Sequence, residues 1–161
     1  EFLGNQIARL KEQINVHINQ YPDIKRDRDL LASIKGIGDK TAAILLGELP
    51  DINNFDNSGQ VVAYAGASPS QHESGSSVHK KSKLTKTGNK NIKTALYFPA
   101  LSAIRFNPIV KALALRLEEQ GKEKMVIVGA AIRKLLQLAY GVLKSGQPFD
   151  PNYATKIQDA I

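Results

Sequence analysis

Leu3, Ile7, Leu10, Ile14, His17, Tyr21 and Ile24 recur at alternating spacings of four and three residues, with charged and amide side chains between them. That is the a/d stripe of a heptad helix with one polar member, His17. Pro22 interrupts it. The pattern therefore predicts a first helix ending near Gln20 and a second beginning at Pro22, where proline's missing N–H is harmless. A stripe of three heptads can pair with another subunit or fold back onto its own domain, and periodicity leaves both open. His17 reads as a polar seam residue, not a ligand.

Residues 23–33 continue as a helix into Ile34-Lys35-Gly36-Ile37-Gly38-Asp39-Lys40-Thr41, and a further helical stretch, 41–49, stops at Pro50. Two short helices joined by an apolar-x-Gly-apolar-Gly turn match the helix-hairpin-helix pattern. Its glycines allow a tight turn and leave amide N–H groups at the mouth of the second helix, which suit a DNA phosphate, with Lys40 adding charge. An ordinary αα-hairpin turn favours glycine as well. After an Asp- and Asn-rich loop (51–57), a helix is expected over 58–65, with Ser58 as N-cap and Gly66 closing it. Residues 67–88 carry Ser, Gly and Lys without helical period, hence a long loop or a short β-hairpin. Three helices follow: 89–106, bent at Pro99; one opened by Asn107-Pro108 and ending near Gly121; and 123–143, stopped by Gly146-Gln147-Pro148. Ile104, Ile109, Val110, Leu113, Leu117, Ile127, Ile132, Leu135, Leu136, Leu138 and Val142 form the expected core. The fold class is all-α, a helical domain (29–146) behind a coiled-coil-like connector (1–28), with a tail (147–161).

Composition narrows the function. The 161 residues contain no Cys and no Trp, which removes thiol catalysis, disulfide scaffolds and Cys-based zinc sites. His17, His72 and His79 lack metal-ligand spacing. The apolar run 125–143 holds Arg133 and Lys134 at its centre, so it is expected as a buried helix of a soluble, cytoplasmic protein without a membrane partner. The chain opens on Glu1, not Met, and reads as a piece of a longer protein. Lys and Arg number 22 against 15 Asp and Glu, a net +7. Between residues 71 and 94, Lys80, Lys81, Lys83, Lys86, Lys90 and Lys93 face only Glu73, a local net charge of +5. A polyanion is the simplest use for such a segment, the alternative being a solvated loop.

No Gly-rich nucleotide loop occurs, and the carboxylates are scattered. The candidate nucleophile lies in the basic loop, Pro69-Ser70-Gln71-His72-Glu73-Ser74-Gly75-Ser76-Ser77. A serine attacking a phosphodiester needs an exposed hydroxyl, a backbone that DNA can approach and nearby cations. Ser74-Gly75, followed by Lys80, Lys81 and Lys83, supplies these, with His72 or Glu73 beside it to take the proton.

Taken in order, Ser33-Ile34-Lys35-Gly36-Ile37-Gly38, Ala63-Tyr64-Ala65-Gly66, Ser68-Pro69-Ser70, Glu73-Ser74-Gly75, Leu84-Thr85-Lys86-Thr87-Gly88-Asn89 and Ala95-Leu96-Tyr97 closely resemble the C-terminal domain of the Piv/MooV-type insertion-sequence transposases. These are DNA recombinases with an N-terminal RuvC-like domain bearing a DEDD carboxylate set, some of them guided by a bridge RNA. The resemblance implies a serine nucleophile that becomes joined to DNA, mapping onto Ser74, with Ser70, Ser76 and Ser77 as fallbacks. It implies Mg²⁺ on the RuvC-like domain and no cofactor on this part. It also implies DNA contacts by Gly36, Gly38, Lys40, Lys80, Lys81, Lys83 and Lys86, and a Lys-x-Gly-Asn turn (Lys86, Gly88, Asn89) guiding DNA or RNA phosphates. Residues 1–28 would correspond to a coiled-coil connector that forms homo-oligomers, and the protein would act at the nucleoid. A non-catalytic nucleic-acid-binding module and a helical oligomerisation adaptor are the alternatives.

Overall fold

The computed structural model describes residues 1–70, 83–84 and 87–152. They form an all-α fold of α1 (Phe2–Gln20), α2 (Pro22–Ala32), α3 (Asp39–Glu48), a 3-10 turn (Ile52–Asn54), α4 (Ser58–Tyr64), α5 (Lys90–Phe106), α6 (Pro108–Glu119) and α7 (Lys124–Ser145). Between α4 and α5, two-residue strands β1 (Pro69–Ser70) and β2 (Lys83–Leu84) pair antiparallel, with Pro69 opposite Leu84 and Ser70 opposite Lys83. This pairing accords with the short-hairpin alternative at residues 69–70 and 83–84; residues 71–82 and 85–86 lie outside the described residues.

Helix α7 is the hub, packed by α5, α4, α6 and α2. Ile127, Val128, Ala131, Ile132, Leu135, Leu136, Ala139 and Val142 recur every three or four residues and are buried on its inner side. By length and composition this helix could cross a membrane, but half of its most apolar stretch is buried against the other helices. Leu31, Ile34, Leu45, Val61, Ile92 and Leu96 complete the core from the remaining elements. Ile109, Leu113 and Leu117, expected in that core, are half-buried instead and line a groove between α6 and α7.

Local chemistry sets the helix starts. Asn107 caps α6 as expected, and Asn89, expected as the first residue of its helix, caps α5; each side chain accepts two first-turn amides. Helix α4 is capped by Asn57, not Ser58: Asn57 Oδ1 accepts from the Gln60 amide at 3.1 Å, and Gln60 in turn accepts from the Asp56 amide at 2.8 Å. This reciprocal arrangement puts Ser58 inside the helix. Helix α3 begins at Asp39, two residues earlier than its apolar pattern implied, and α5 runs through Pro99 without a break.

Helix α1 lies against α2. It uses Ile18 for this, its one buried residue. The heptad stripe does not fold back: Leu3, Ile7, Leu10 and Ile14 are 73%, 53%, 57% and 51% exposed. His17 is exposed and stacks on Tyr21 at 5.0 Å. Along α2 the exposed charged residues of its first turns give way to buried Leu30 and Leu31. After α7 the chain returns to this point, and the Phe149 amide donates to Ser33 Oγ at 2.8 Å.

Candidate nucleic-acid interface

The α2–α3 turn is built by two buried apolar residues and one forced glycine. Ile34 and Ile37 point into the core while Lys35 and Gly38 face solvent. Gly36 has φ +109°, and a Cβ there would lie 2.8 Å from Ala103 Cβ and 3.0 Å from the Pro99 carbonyl oxygen on α5. Only glycine lets this turn seat against α5. Gly38 differs. At φ −95° with open space around it, it is not needed for the turn. It caps α3 without a side-chain acceptor, so no side chain covers the first amides of that helix. Asp39 and Lys40 stand exposed beside them, and Lys35 makes the rim net positive.

Asn107 holds this turn from behind. It is fully buried, and its Nδ2 donates to the Lys35 carbonyl at 3.0 Å while its Oδ1 caps α6. The cap was legible in the sequence. The tie across 72 residues was not, because a long-range polar contact leaves no periodic trace.

A second exposed region is the root of β1 and β2. Gly66 and Gly88, both at positive φ, sit where the two chain segments press together: a Cβ on Gly66 would strike the Thr87 carbonyl, and one on Gly88 would strike the Gly66 backbone. The Asn89 amide donates to the Tyr64 carbonyl at 2.9 Å, and Asn89 Nδ2 donates to Glu48 Oε2 at 2.8 Å. The Asn91 side chain donates to Glu48 Oε1 at 2.8 Å. These bonds, with that from Asn89 foremost, hold the Glu48 carboxyl below its usual range. Gly88 and Asn89, proposed from the sequence as phosphate contacts, thus carry structural duties that close the root. On the α7 side, Arg133 Nε donates to the Ala67 carbonyl at 3.3 Å, two residues before β1. Sequence reading had treated Arg133 and Lys134 only as charges interrupting an apolar run. The missed signal is that both must sit on the solvent stripe of a core helix.

Ser74, Lys80, Lys81 and Lys86 lie outside the described residues, as do Ser76 and Ser77. Lys83 and Ser70 are backbone partners at the mouth of that stretch. The two exposed regions are not one site. Asn89 and Asn107 cap opposite ends of α5's axis, and 17 residues at about 1.5 Å each separate them by roughly 25 Å. Among the described residues no three His, Asp or Glu side chains approach closely enough to hold a metal ion. The chain's described part does not fit a Mg²⁺ site.

Residues 28–114, which include the α2–α3 turn and the β1–β2 root, match the Transposase IS116/IS110/IS902 family. The chain belongs to this family. Among its relatives is the pilin gene-inverting protein of Moraxella bovis, 37% identical over 149 residues, covering 91% of this chain and 46% of the relative. The protein of the same name from Moraxella lacunata matches to the same extent. An uncharacterized 43.6 kDa protein of insertion element IS110 from Streptomyces coelicolor is 26% identical over 141 residues, covering 88% of this chain and 34% of that protein. The chain spans about half the length of the Moraxella relatives it matches.

Proposed function

We propose that this chain is the DNA-binding and serine-bearing portion of an insertion-sequence transposase, acting in DNA recombination. The observation that carries the reading is the family match across the turn and the β1–β2 root. On this reading Ser74 attacks a scissile phosphate. A phosphoserine ester forms as the P–O bond to the leaving strand breaks, and the leaving oxygen takes up a proton. His72 and Glu73 are the neighbouring groups able to accept the serine proton. Lys80, Lys81, Lys83 and Lys86 neutralise the backbone, and the α2–α3 unit works as a helix-hairpin-helix on a flanking phosphate through Gly38, Lys40 and the open amides of α3.

Turnover requires the rest of the enzyme, a RuvC-like domain with Mg²⁺, and in guided members an RNA. The test is covalent trapping with the full-length transposase on a suicide substrate. Wild type is expected to yield a protein–DNA adduct and Ser74→Ala none, whereas adducts formed by Ser74→Ala would remove the nucleophile assignment.

The exposed stripe of α1 favours a second, compatible role in homo-oligomerisation. Helix stability in proteins comes mostly from packing of an amphipathic face, and Ile18 is the one buried residue of α1, so an apolar stripe left open over its length calls for a partner helix. Sedimentation of a chain lacking residues 1–21 tests this: an oligomer lost on truncation supports the seam, and an unchanged state overturns it.

A further inference from the structure

The groove between α6 and α7 encloses about 650 Å³ and is unlike the other surface depressions in charge. Leu113 and Leu117 from α6 supply its floor, Arg116 rises beside them, and Arg133, Lys134 and Gln137 line the α7 side. The spacings explain the grouping, since positions three and four apart share a helix face. On α7 the stripe that carries Arg133, Lys134 and Gln137 is the half-buried complement of the inner face formed by Ile132, Leu135, Leu136 and Ala139. No acidic residue lines the groove. Among the described residues none of the three cations is paired with a carboxylate. Three uncompensated cations around one concave site repel one another, and a bound polyanion relieves that repulsion.

We propose that this groove is a binding site for the DNA sugar–phosphate backbone, separate from the lysines of residues 80–86. The inference rests on the DNA-recombination reading above and adds a surface to it. Arg133 connects the two, because it also holds the Ala67 carbonyl just before β1. A strand leaving the β1–β2 root on this side meets the guanidinium first and Lys134 and Arg116 beyond it. A guanidinium fork matches two phosphate oxygens. The leucine floor accepts the apolar face of deoxyribose and offers nothing to a 2′-hydroxyl, which favours DNA over RNA.

The experiment is anisotropy of a labelled DNA duplex of about 30 base pairs with the 161-residue chain, titrated from roughly 50 to 200 mM salt. Arg116→Gln/Lys134→Gln removes two charges and leaves the Arg133–Ala67 bond intact. The slope of log affinity against log salt is expected to fall by about 1.8, so that the gap to wild type narrows roughly twelve-fold across the range. The exchanged pair Arg116→Lys/Lys134→Arg is expected to retain the wild-type slope, and thermal melts confirm that each variant is folded. An unchanged slope in the glutamine variant, with a reduced one in Lys80/Lys81/Lys83/Lys86→Ala, overturns the groove and leaves the DNA reading standing. Absence of binding by the wild type overturns both. A groove-dependent slope seen with duplex RNA and not with DNA overturns the choice of ligand.

Discussion

Asn107 is where the turn that faces DNA is joined to the core, and its two ends can be separated by substitution. Asn107 itself is fully buried; its Oδ1 caps α6 on the Ile109 and Val110 amides at 3.1 and 3.3 Å, and its Nδ2 supplies the Lys35 carbonyl at 3.0 Å. Asn107→Asp keeps the cap and takes away the donor. The part-buried Lys35 carbonyl then loses its side-chain partner, at a cost of about 1–3 kcal/mol, against which a carboxylate at the start of α6 contributes about 0.3–1 kcal/mol. The expected net loss is about 1–2 kcal/mol. Asn107→Ala removes the cap as well, roughly 1 kcal/mol more plus the lost dipole gain, for about 3 kcal/mol in all.

Urea denaturation followed by circular dichroism reads these values, with an unchanged m-value as the check that the same surface is exposed. At roughly 2–4 °C per kcal/mol for a chain of this size, the midpoints should fall by about 2–8 °C for Asp and 6–12 °C for Ala. Hydrogen exchange gives a local reading. The Ile37 amide, bonded to Ile34 at 2.9 Å within the turn, should exchange faster in Asn107→Asp by more than the global loss explains. An Asp variant as stable as wild type would refute the tie to Lys35. An Asp variant as weak as Ala would refute the worth of the cap.

Three further outcomes follow from the same structure. Gly36→Ala should lose at least about 2 kcal/mol from its positive φ and the contact with Ala103, whereas Gly38→Ala, in open space, should lose at most about 1 kcal/mol and chiefly weaken DNA binding in a filter assay. Because Glu48 is held below its unfolded value of 4.5, the stability it contributes is complete above that pH and is lost as pH falls through the lower folded value; Glu48→Gln should flatten the acid limb of a stability-versus-pH curve, and a parallel curve would count against the Asn89–Glu48 link. Leu135→Ala, fully buried at the middle of α7, should cost about 2–5 kcal/mol in the same denaturation assay, while Leu115→Ala, 49% exposed on α6, should stay within roughly 0.5 kcal/mol.

Helix order was readable because its signals are local. Pro22 and Pro108 open helices, Asn107 caps one, and each acts within four residues of its own position. Legibility failed where two neighbours compete, as Asn57 and Ser58 do. There the choice falls to Gln60 and Asp56, whose reciprocal bonds no propensity describes. It also failed for polar contacts between distant parts, such as Glu48 with Asn89 and Asn107 with Lys35, which give Asn89 and Asn107 their structural work.

Apolar periodicity raises a different problem, because it identifies a face without saying what covers it. Leu3, Ile7, Leu10 and Ile14, spaced four, three and four, and the trio Ile109, Leu113 and Leu117, spaced four and four, both mark one helix face, yet the first set is left open along α1 and the second lines a groove. What distinguishes them is the charge alongside. The α1 stripe is flanked by both Arg9 and Glu12, a mixed border suited to another amphipathic helix. The α6 stripe is bordered by Arg116, Arg133 and Lys134 with no acid among the lining residues, a border suited to phosphate. The hydrophobic pattern therefore locates a contact surface, and the sign of the charges around it selects the class of partner.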